Sequence, residues 1–377
     1  MGSSDPGARV VQLRALLAIT QKDLATMTGI AQGTISKVER GDVGLTEVNA
    51  HRIAAATETP VEFFQTPADE LPKEAINYRK SSAVSAKGEK FLKQTLNEIN
   101  RVAGDLQYAP SGLKHPSLPI APAAAAITPV TIEEWAQRFR EAAGLGPTDP
   151  IRNVIRTAER MGIAVASIEP PERDHTILKG HMGLSTMADR PVVGFVVGES
   201  GDRQRFTVAH EIGHIVLHTN RSLPIELRES EAHDFGGALL LPESVARQEL
   251  SESLTLQGYL KLKSRYGISV QAAIMRARKL GLITRDRQRS LMIQLSSRGW
   301  RVNEPVKVTN ERPLLLWTEL ASKFGASPYL PAVTAYGVRA HDLQSWIPDR
   351  SRKAPAKRVA PPAGDDGATV VSLFDRT

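Results

Sequence analysis

Two histidines one helical turn apart are the residues of this chain best suited to chemistry, in the segment His210-Glu211-Ile212-Gly213-His214. On a helix, side chains four residues apart share a face, so both imidazoles can reach one metal ion. Zinc accepts imidazole nitrogens at about 2.0–2.1 Å. Glu211 is turned by about 100° from the pair and is predicted to be the general base towards water that zinc activates. The spacing therefore predicts a hydrolytic zinc centre, and the alternative is a hydrogen-bonded pair of core histidines.

The third ligand of such a centre must lie outside this segment, because a catalytic zinc takes three protein ligands and keeps one position open. The chain contains no cysteine, so the ligand must be a histidine or a carboxylate. The next predicted helix offers Glu229, Glu231 and His233, and spacing alone does not choose among them. His218, one turn beyond His214, is interpreted as a cation at the helix C-terminus or as a packing residue.

The elements that must position these residues follow from hydrophobic periodicity and from helix-stopping residues. Helices are predicted at 131–143, at 150–161 with Asp149 as its cap, at 202–218 and at 226–241, and strands at 163–168 and 191–197. The strands are rich in β-branched residues, and Pro242 ends the last of these helices. The middle of the chain is therefore predicted to be α+β, with further helices after it.

A second motif lies near the N-terminus, in LRALLAITQKDLATMTGIAQGTISKVERGDVGL. Its pattern T-Q-x-x-L-A-x-x-x-G-x-x-x-x-x-I-S-x-x-E-R-G resembles the helix-turn-helix of XRE-family repressors. In this pattern Thr20 caps the second helix and Gly29 permits the turn before the third, which spans 32–40. The small core is predicted to consist of Leu24, Ala25, Ile30, Ile35 and Val38, and the resemblance implies an internal ion pair between Arg14 and Glu39.

The third helix of such a motif enters the major groove of double-stranded DNA with its N-terminal residues facing base edges. Gln32, Thr34 and Lys37 are the candidates for this contact, and a glutamine can read adenine with two hydrogen bonds. Gln21, at the start of the second helix, is predicted to hold a phosphate. A module that contacts only protein is the alternative, because residues 1–64 carry six basic and seven acidic side chains.

The zinc segment also carries a family resemblance. RFTVAHEIGHIVLH, followed by ESEAHDFGGALLLPE, resembles the ImmA/IrrE family of zinc metallopeptidases, over roughly residues 131–300. That family continues from its H-E-x-x-H with E-x-E-A-N-x-F-A-A-x-L-L-M-P. The resemblance implies a zincin-like α+β fold with Glu229 as third ligand beside His210 and His214, Glu211 as base, and Glu231 as the fallback ligand. Two departures stand out: His233 replaces the usual Asn, and Gly236 and Gly237 replace two Ala.

The predicted organisation is multidomain: an all-α helix-turn-helix domain, an α+β metallopeptidase domain and a helical C-terminal extension. The boundaries are 8–66 for the DNA-binding domain, 67–130 for a helical and then Pro/Ala-rich linker, 131–245 for the peptidase, 246–300 for the extension, and 301–377 for a C-terminal region with a disordered basic tail. A helix predicted at 85–107 has an apolar stripe, which either dimerises the protein as a short coiled coil or packs on its own domain: Leu92, Leu96, Ile99, Ala103 and Leu106.

Composition limits the compartment and the partners. The net charge is +7, and the basic excess lies at 73–93 and 350–358 rather than in the helix-turn-helix. No signal peptide and no apolar run of membrane-spanning length is evident, so a cytoplasmic protein is expected.

Together these features predict an operator-binding regulator whose zinc endopeptidase cleaves a protein partner such as a repressor. The alternatives are a transcription factor with a zinc sensor that does not cleave, and a component of a toxin–antitoxin system.

Overall fold

The structure, a computed structural model, describes residues 5–72, 75–78, 85–171, 173–188 and 190–350. The basic tail predicted beyond Asp349 lies almost wholly at 351–377, outside the described residues. The helices in chain order are α1 (Pro6–Leu17), α2 (Gln21–Thr28), α3 (Gln32–Glu39), α4 (Glu47–Thr57), α5 (Ala86–Leu106), α6 (Pro129–Ala142), α7 (Val154–Arg160), α8 (Gly201–His218), α9 (Ile225–Leu240), α10 (Glu243–Glu249), α11 (Leu256–Tyr266), α12 (Val270–Lys279), α13 (Arg285–Ser297), α14 (Leu315–Phe324), α15 (Tyr329–Tyr336) and α16 (Ala340–Trp346). A 3-10 helix (Val61–Gln65) follows α4, and the strands are β1 (Ile76–Tyr78), β2 (Ala164–Ile168), β3 (Gly183–Met187) and β4 (Pro191–Val196).

The chain forms two units, each assembled from separate stretches of sequence. The first comprises the described residues of Met1–Lys114, Gly162–Val197 and Pro313–Pro348. The second contains His115–Met161 and Gly198–Arg312. The helix-turn-helix and all four strands therefore belong to the first unit, and α6 to α13 belong to the second.

The sheet of the first unit is small and mixed, with strand order β1-β3-β4-β2. β3 and β4 form an antiparallel hairpin in which Gly183 lies opposite Phe195, whereas β2 runs parallel to β4 with Ala164 opposite Val192. All five residues of β2 are buried, as expected for a strand covered on both faces. The strands predicted at 163–168 and 191–197 are confirmed, and β1 and β3 were not predicted.

Helix α5 lies in the core of the first unit. Ser85 caps its N-terminus by accepting a hydrogen bond from the Gly88 amide. The whole apolar stripe from Leu92 to Leu106 is buried among β-strand residues and residues of α14, α15 and α16. The alternative that the stripe packs within its own domain is thus correct. The stripe cannot be the seam of a coiled-coil dimer, because it has no exposed face to offer a second chain.

Helix α1 joins the helix-turn-helix to α5 through a buried ion pair. The Arg9 guanidinium lies 2.5 Å from the Glu98 carboxylate and also donates to the backbone carbonyl of Phe63. Arg101 binds the second oxygen of Glu98, so that carboxylate is shared between two cations. Burial alone would raise the pKa of Glu98, but these two guanidiniums hold it below its usual value.

In the second unit, α8 and α9 form a helical hairpin, and α6 packs on α9 with Phe139 and Phe235 in edge-to-face contact. Helix α7 begins later than predicted: Asn153, and not Asp149, is its cap and accepts a hydrogen bond from the Arg156 amide. Asp149 instead accepts from the Gly146 amide in the preceding turn. None of the helices among the described residues has the length and apolar character needed to cross a membrane.

Candidate functional site

The histidine pair lies in the buried second half of α8. His210 and His214 are each 1% exposed, and their Nε2 atoms are 3.1 Å apart. Successive turns of one helix account for this proximity, because side chains at i and i+4 stand one above the other. The predicted convergence of the two imidazoles is therefore present in the fold.

Two glycines allow α8 and α9 to approach closely at the level of these histidines. A Cβ atom on Gly213 would lie 3.1 Å from the Ala232 carbonyl oxygen and from the Phe235 side chain. A Cβ atom on Gly236 would lie 3.2 Å from the backbone nitrogen of His210. Both distances are shorter than an ordinary van der Waals contact. The close packing brings the carboxylates of α9 within reach of the histidines.

Glu229 is the α9 residue that meets the pair. Its Oε2 lies 3.4 Å from His210 Nε2, and its Oε1 lies 3.2 Å from His214 Nε2. Ligand bonds of about 2.0–2.1 Å in a tetrahedral zinc site place the donor atoms about 3.3–3.4 Å apart. The distance between the two Nε2 atoms, and the distance from each of them to one oxygen of Glu229, are close to this value. Within the described ranges these three residues form the one group of three or more His, Cys, Asp or Glu residues whose ligand atoms all lie within 4.8 Å of one another.

The protonation states of the cluster also suit a cation. Burial lowers the pKa of His214 to about 4, so the imidazole is neutral near pH 7. Burial would raise the pKa of Glu229, but its hydrogen bonds to His210 and His214 outweigh that effect and hold the pKa far below its usual range. A neutral imidazole and an ionised carboxylate are the forms in which these groups bind metals.

The other predicted residues of this site occupy different positions. Glu211, the predicted base, is completely buried in the same turn of α8 as His210. Glu231 accepts hydrogen bonds from His218 and Arg221. His233 is exposed and its ring contacts Phe206 at a tilt of 56°, with ring centroids 4.9 Å apart. Of the three candidates for third ligand, the fold brings Glu229 to the histidine pair.

His218 has a partner that the sequence reasoning did not find. It is buried, and burial followed by the neighbouring His214 lowers its pKa to about 3. Burial therefore favours the interpretation of His218 as a packing residue over that of a cation at the helix end. Its position four residues after His214 was the available signal: the i, i+4 register of the metal pair continues for one more turn.

The helix-turn-helix has the local geometry that its pattern predicted. Thr20 and Asp23 form a reciprocal capping box at the start of α2. Gly29 ends α2 with φ of +67°, a left-handed conformation that favours glycine. Arg14 donates two hydrogen bonds to Glu39, which confirms the predicted ion pair. The predicted core is confirmed as well, with Leu24, Ile30, Ile35 and Val38 buried and Ala25 packed against them.

The residues predicted to contact DNA lie on α2 and α3. Gln32 and Lys37 are exposed, and Thr34 is half-buried. Gln21 is half-buried, and its side-chain amide donates to Glu39 Oε2 at 2.7 Å. That bond uses one of the two hydrogens of the amide and leaves the other for a phosphate oxygen.

Comparison with known proteins places both motifs in described families. Residues 10–64 match the family model described as helix-turn-helix, and residues 158–278 match the one described as IrrE N-terminal-like domain, a peptidase family. No curated protein matches the chain. The second match contains the three clustered donors, and peptidases of this family are generally metal-dependent. The chain thus combines an XRE-type helix-turn-helix at its N-terminus with an IrrE/ImmA-like domain of the metallopeptidase type.

Proposed function

We propose that this protein is a DNA-binding transcriptional regulator whose IrrE-like domain is a zinc-dependent endopeptidase acting on a protein partner, such as a repressor. The observation that carries the proposal is the cluster of His210, His214 and Glu229, with donor separations of 3.1 to 3.4 Å. An operator-bound protein acts in the cytoplasm, which is the location we propose. Tethering both activities on one chain raises the local concentration of the peptidase near a DNA-bound partner.

In this mechanism His210, His214 and Glu229 would hold the ion. When bound, zinc would supply Lewis acidity for a peptide carbonyl and would lower the pKa of water to about 7. Glu211 takes a proton from the attacking water on a carboxylate oxygen and returns it to the leaving amide nitrogen as the C–N bond breaks. The products are one new carboxyl group and one new amine. Substrate approaches on the Glu229 side, where that carboxylate is 26% exposed while both imidazoles are buried.

A Glu211→Gln variant tests the enzymatic part. Removing a general base lowers the rate by about 100-fold or more, while all three ligands and hence the zinc content stay unchanged. Glu226→Gln, at an exposed position of α9, is the matched control and should cleave like the wild type. The assay compares new peptide N-termini in cells carrying each form and zinc content in the purified proteins. If Glu211→Gln retains zinc, and if partner cleavage and the cellular response both survive this change, the proposed peptidase role fails. A non-cleaving sensor or a toxin–antitoxin component would then be the better description.

A His210→Ala variant tests the ligand set itself. Loss of one of three protein ligands should abolish stoichiometric zinc binding, measured by elemental analysis after dialysis against a weak chelator. Undiminished zinc in this variant would refute the ligand assignment, whatever the peptidase activity.

The DNA-binding part is tested by two substitutions of the same kind. Gln32→Ala should relax sequence preference at one base pair by about 1–3 kcal/mol, because a base-reading side chain is lost. Gln21→Ala should weaken binding to all sequences equally, because a phosphate carries no sequence information. Selection from randomised duplex DNA, followed by affinity measurements at fixed salt, distinguishes the two. Equal effects of both variants on every sequence would count against the predicted roles of α2 and α3.

A further inference from the structure

A line of hydrogen bonds leads from the histidine pair to the loop after α8. His214 Nδ1 lies 3.0 Å from His218 Nδ1, and His218 Nε2 lies 3.0 Å from Glu231 Oε2. Arg221 donates to the same Glu231 oxygen at 2.8 Å. His214, His218 and Glu231 are all buried. This set of residues, which we call the His218 relay, connects the end of α8, the following loop and α9.

The proton positions in the relay follow from the donor sets. His214 must keep a lone pair on Nε2 to bind a metal, so its proton is on Nδ1. The nearest acceptor for that proton is His218 Nδ1, which must then be unprotonated. An imidazole whose Nδ1 accepts carries its proton on Nε2, so His218 donates from Nε2 to Glu231. The proton position on His214 therefore determines the proton position on His218.

We propose that His218 is a positioning residue of the metal centre: it accepts the Nδ1 proton of His214, donates to Glu231, and so fixes the tautomer and ring orientation of a zinc ligand. The proposal rests on the zinc binding proposed above. Metal-binding histidines usually donate their second nitrogen to a carboxylate or a carbonyl group. Here a second imidazole lies between the ligand and the carboxylate.

Arg221 anchors the far end of the relay. It pairs with Glu231 and also donates to the backbone carbonyl of Leu217, one residue before His218. The negative charge of Glu231 is therefore balanced at the loop end of the relay. The balanced pair keeps Glu231 in place as an acceptor for His218 and away from the cluster of metal donors.

The test is zinc affinity in two variants with side chains of nearly equal shape. His218→Leu removes the acceptor, leaves the Nδ1 proton of His214 without a partner, and should weaken zinc binding about 10- to 100-fold. His218→Asn keeps an oxygen acceptor near the position of Nδ1 and should recover most of the affinity. Ile215→Val, a buried change on α8 outside the relay, is the control for general loosening of the helix. Competition with a chelator gives the dissociation constants of the full-length proteins.

A second measurement does not depend on the folding of any variant. Nitrogen-15 spectra of the zinc-loaded wild-type protein report which nitrogen of each ring carries the proton, and we expect Nδ1–H for His214 and Nε2–H for His218. The opposite tautomer of His218 would overturn the relay. Equal zinc affinity of His218→Leu and the wild type would also overturn it, and so would an equal loss of zinc affinity in His218→Leu and His218→Asn. A wild-type protein that binds no zinc would overturn the proposed function as well, so the two failures are distinguishable.

Discussion

The packing of α8 on α9 can be perturbed without touching any proposed ligand, by Gly213→Ala. The new Cβ atom would meet three atoms of Ala232 and Phe235 at 3.1 Å, one of them a backbone carbonyl oxygen. Ordinary contacts begin near 3.4 Å, so α9 must retreat from α8 by about 0.3 Å. The metal donors are divided between these two helices. Their separations should therefore grow by a similar amount.

Two opposing effects set the size of the change in stability. Replacing a mid-helix glycine by alanine gains about 1 kcal/mol of helix propensity, whereas overpacking of a dense contact costs about 1–3 kcal/mol. The metal-free Gly213→Ala protein should thus be less stable by about 0–2 kcal/mol. Zinc sites tolerate deviations in ligand distance of only about 0.2 Å. Zinc affinity should accordingly fall by about 10-fold.

Gly237→Ala is the matched control. The same new methyl group on α9 would meet only the Arg276 side chain, at an ordinary 3.6 Å. This variant should gain about 1 kcal/mol and bind zinc like the wild type. Urea unfolding followed by circular dichroism in chelator gives the stabilities, and zinc competition gives the affinities. Equal zinc affinity of Gly213→Ala and Gly237→Ala would contradict this expectation, and so would a Gly213→Ala protein that is the more stable of the two.

Three further predictions concern pH, the core of the first unit and the ligand set. Burial lowers the pKa of His214 from 6.5 to about 4. The metal-free protein should therefore keep its full free energy of unfolding above pH 6.5 and lose up to about 3 kcal/mol of it as the pH falls to 4. Urea unfolding at a series of pH values measures this loss. Arg9→Met removes the more buried of the two guanidiniums bound to Glu98 and should cost about 3 kcal/mol in the same assay, part of which Glu98→Met on the same chain restores. Glu229→Gln should abolish tight zinc binding, whereas Glu231→Gln should weaken it only partly; the reverse order would exchange the roles of the two carboxylates.

Among the residues that the structure describes, local sequence patterns predicted most of the helices and two of the four strands. β2 and β4 are rich in β-branched residues, so each shows a strand preference within its own few residues. β3 has the sequence GLSTM, in which Ser185 and Thr186 are buried, and β1 has only three residues. Neither carries an alternating or continuous apolar pattern. Their pairing is decided by neighbouring strands, which a short window of sequence does not contain.

The apolar stripe of α5 illustrates a second limit. A repeat of four and three residues is needed equally by a helix in a coiled coil and by a helix buried in its own domain. The stripe itself was predicted correctly, but its partner was not determined by it. In the structure the partners come from β-strands and from α14 to α16, which lie as far as about 250 residues along the chain.

The candidate site also contains residues that a local sequence pattern can identify and residues that depend on tertiary packing. His210 and His214 converge because one helix fixes their spacing, so a sequence reader needs no tertiary information to find them. Glu229 and Glu231 are two residues apart on α9, and either could have faced the pair of His210 and His214. The choice depends on how α9 is rotated, which the packing around Gly213, Gly236 and Phe139 determines. The family resemblance supplied this information before the fold did.

The packing of α8 on α9 also explains why three histidines in equivalent positions on α8 have two different kinds of partner. His210, His214 and His218 are equivalent by position on α8, since each lies one turn after the last. They differ in the carboxylate that α9 presents: Glu229 to the first two and Glu231 to the third. Glu231 is also paired with Arg221, so it is held as a hydrogen-bond acceptor, whereas the more exposed Glu229 contacts both imidazoles of the pair. Substitutions on α9 can therefore alter metal affinity while the H-E-x-x-H segment stays unchanged.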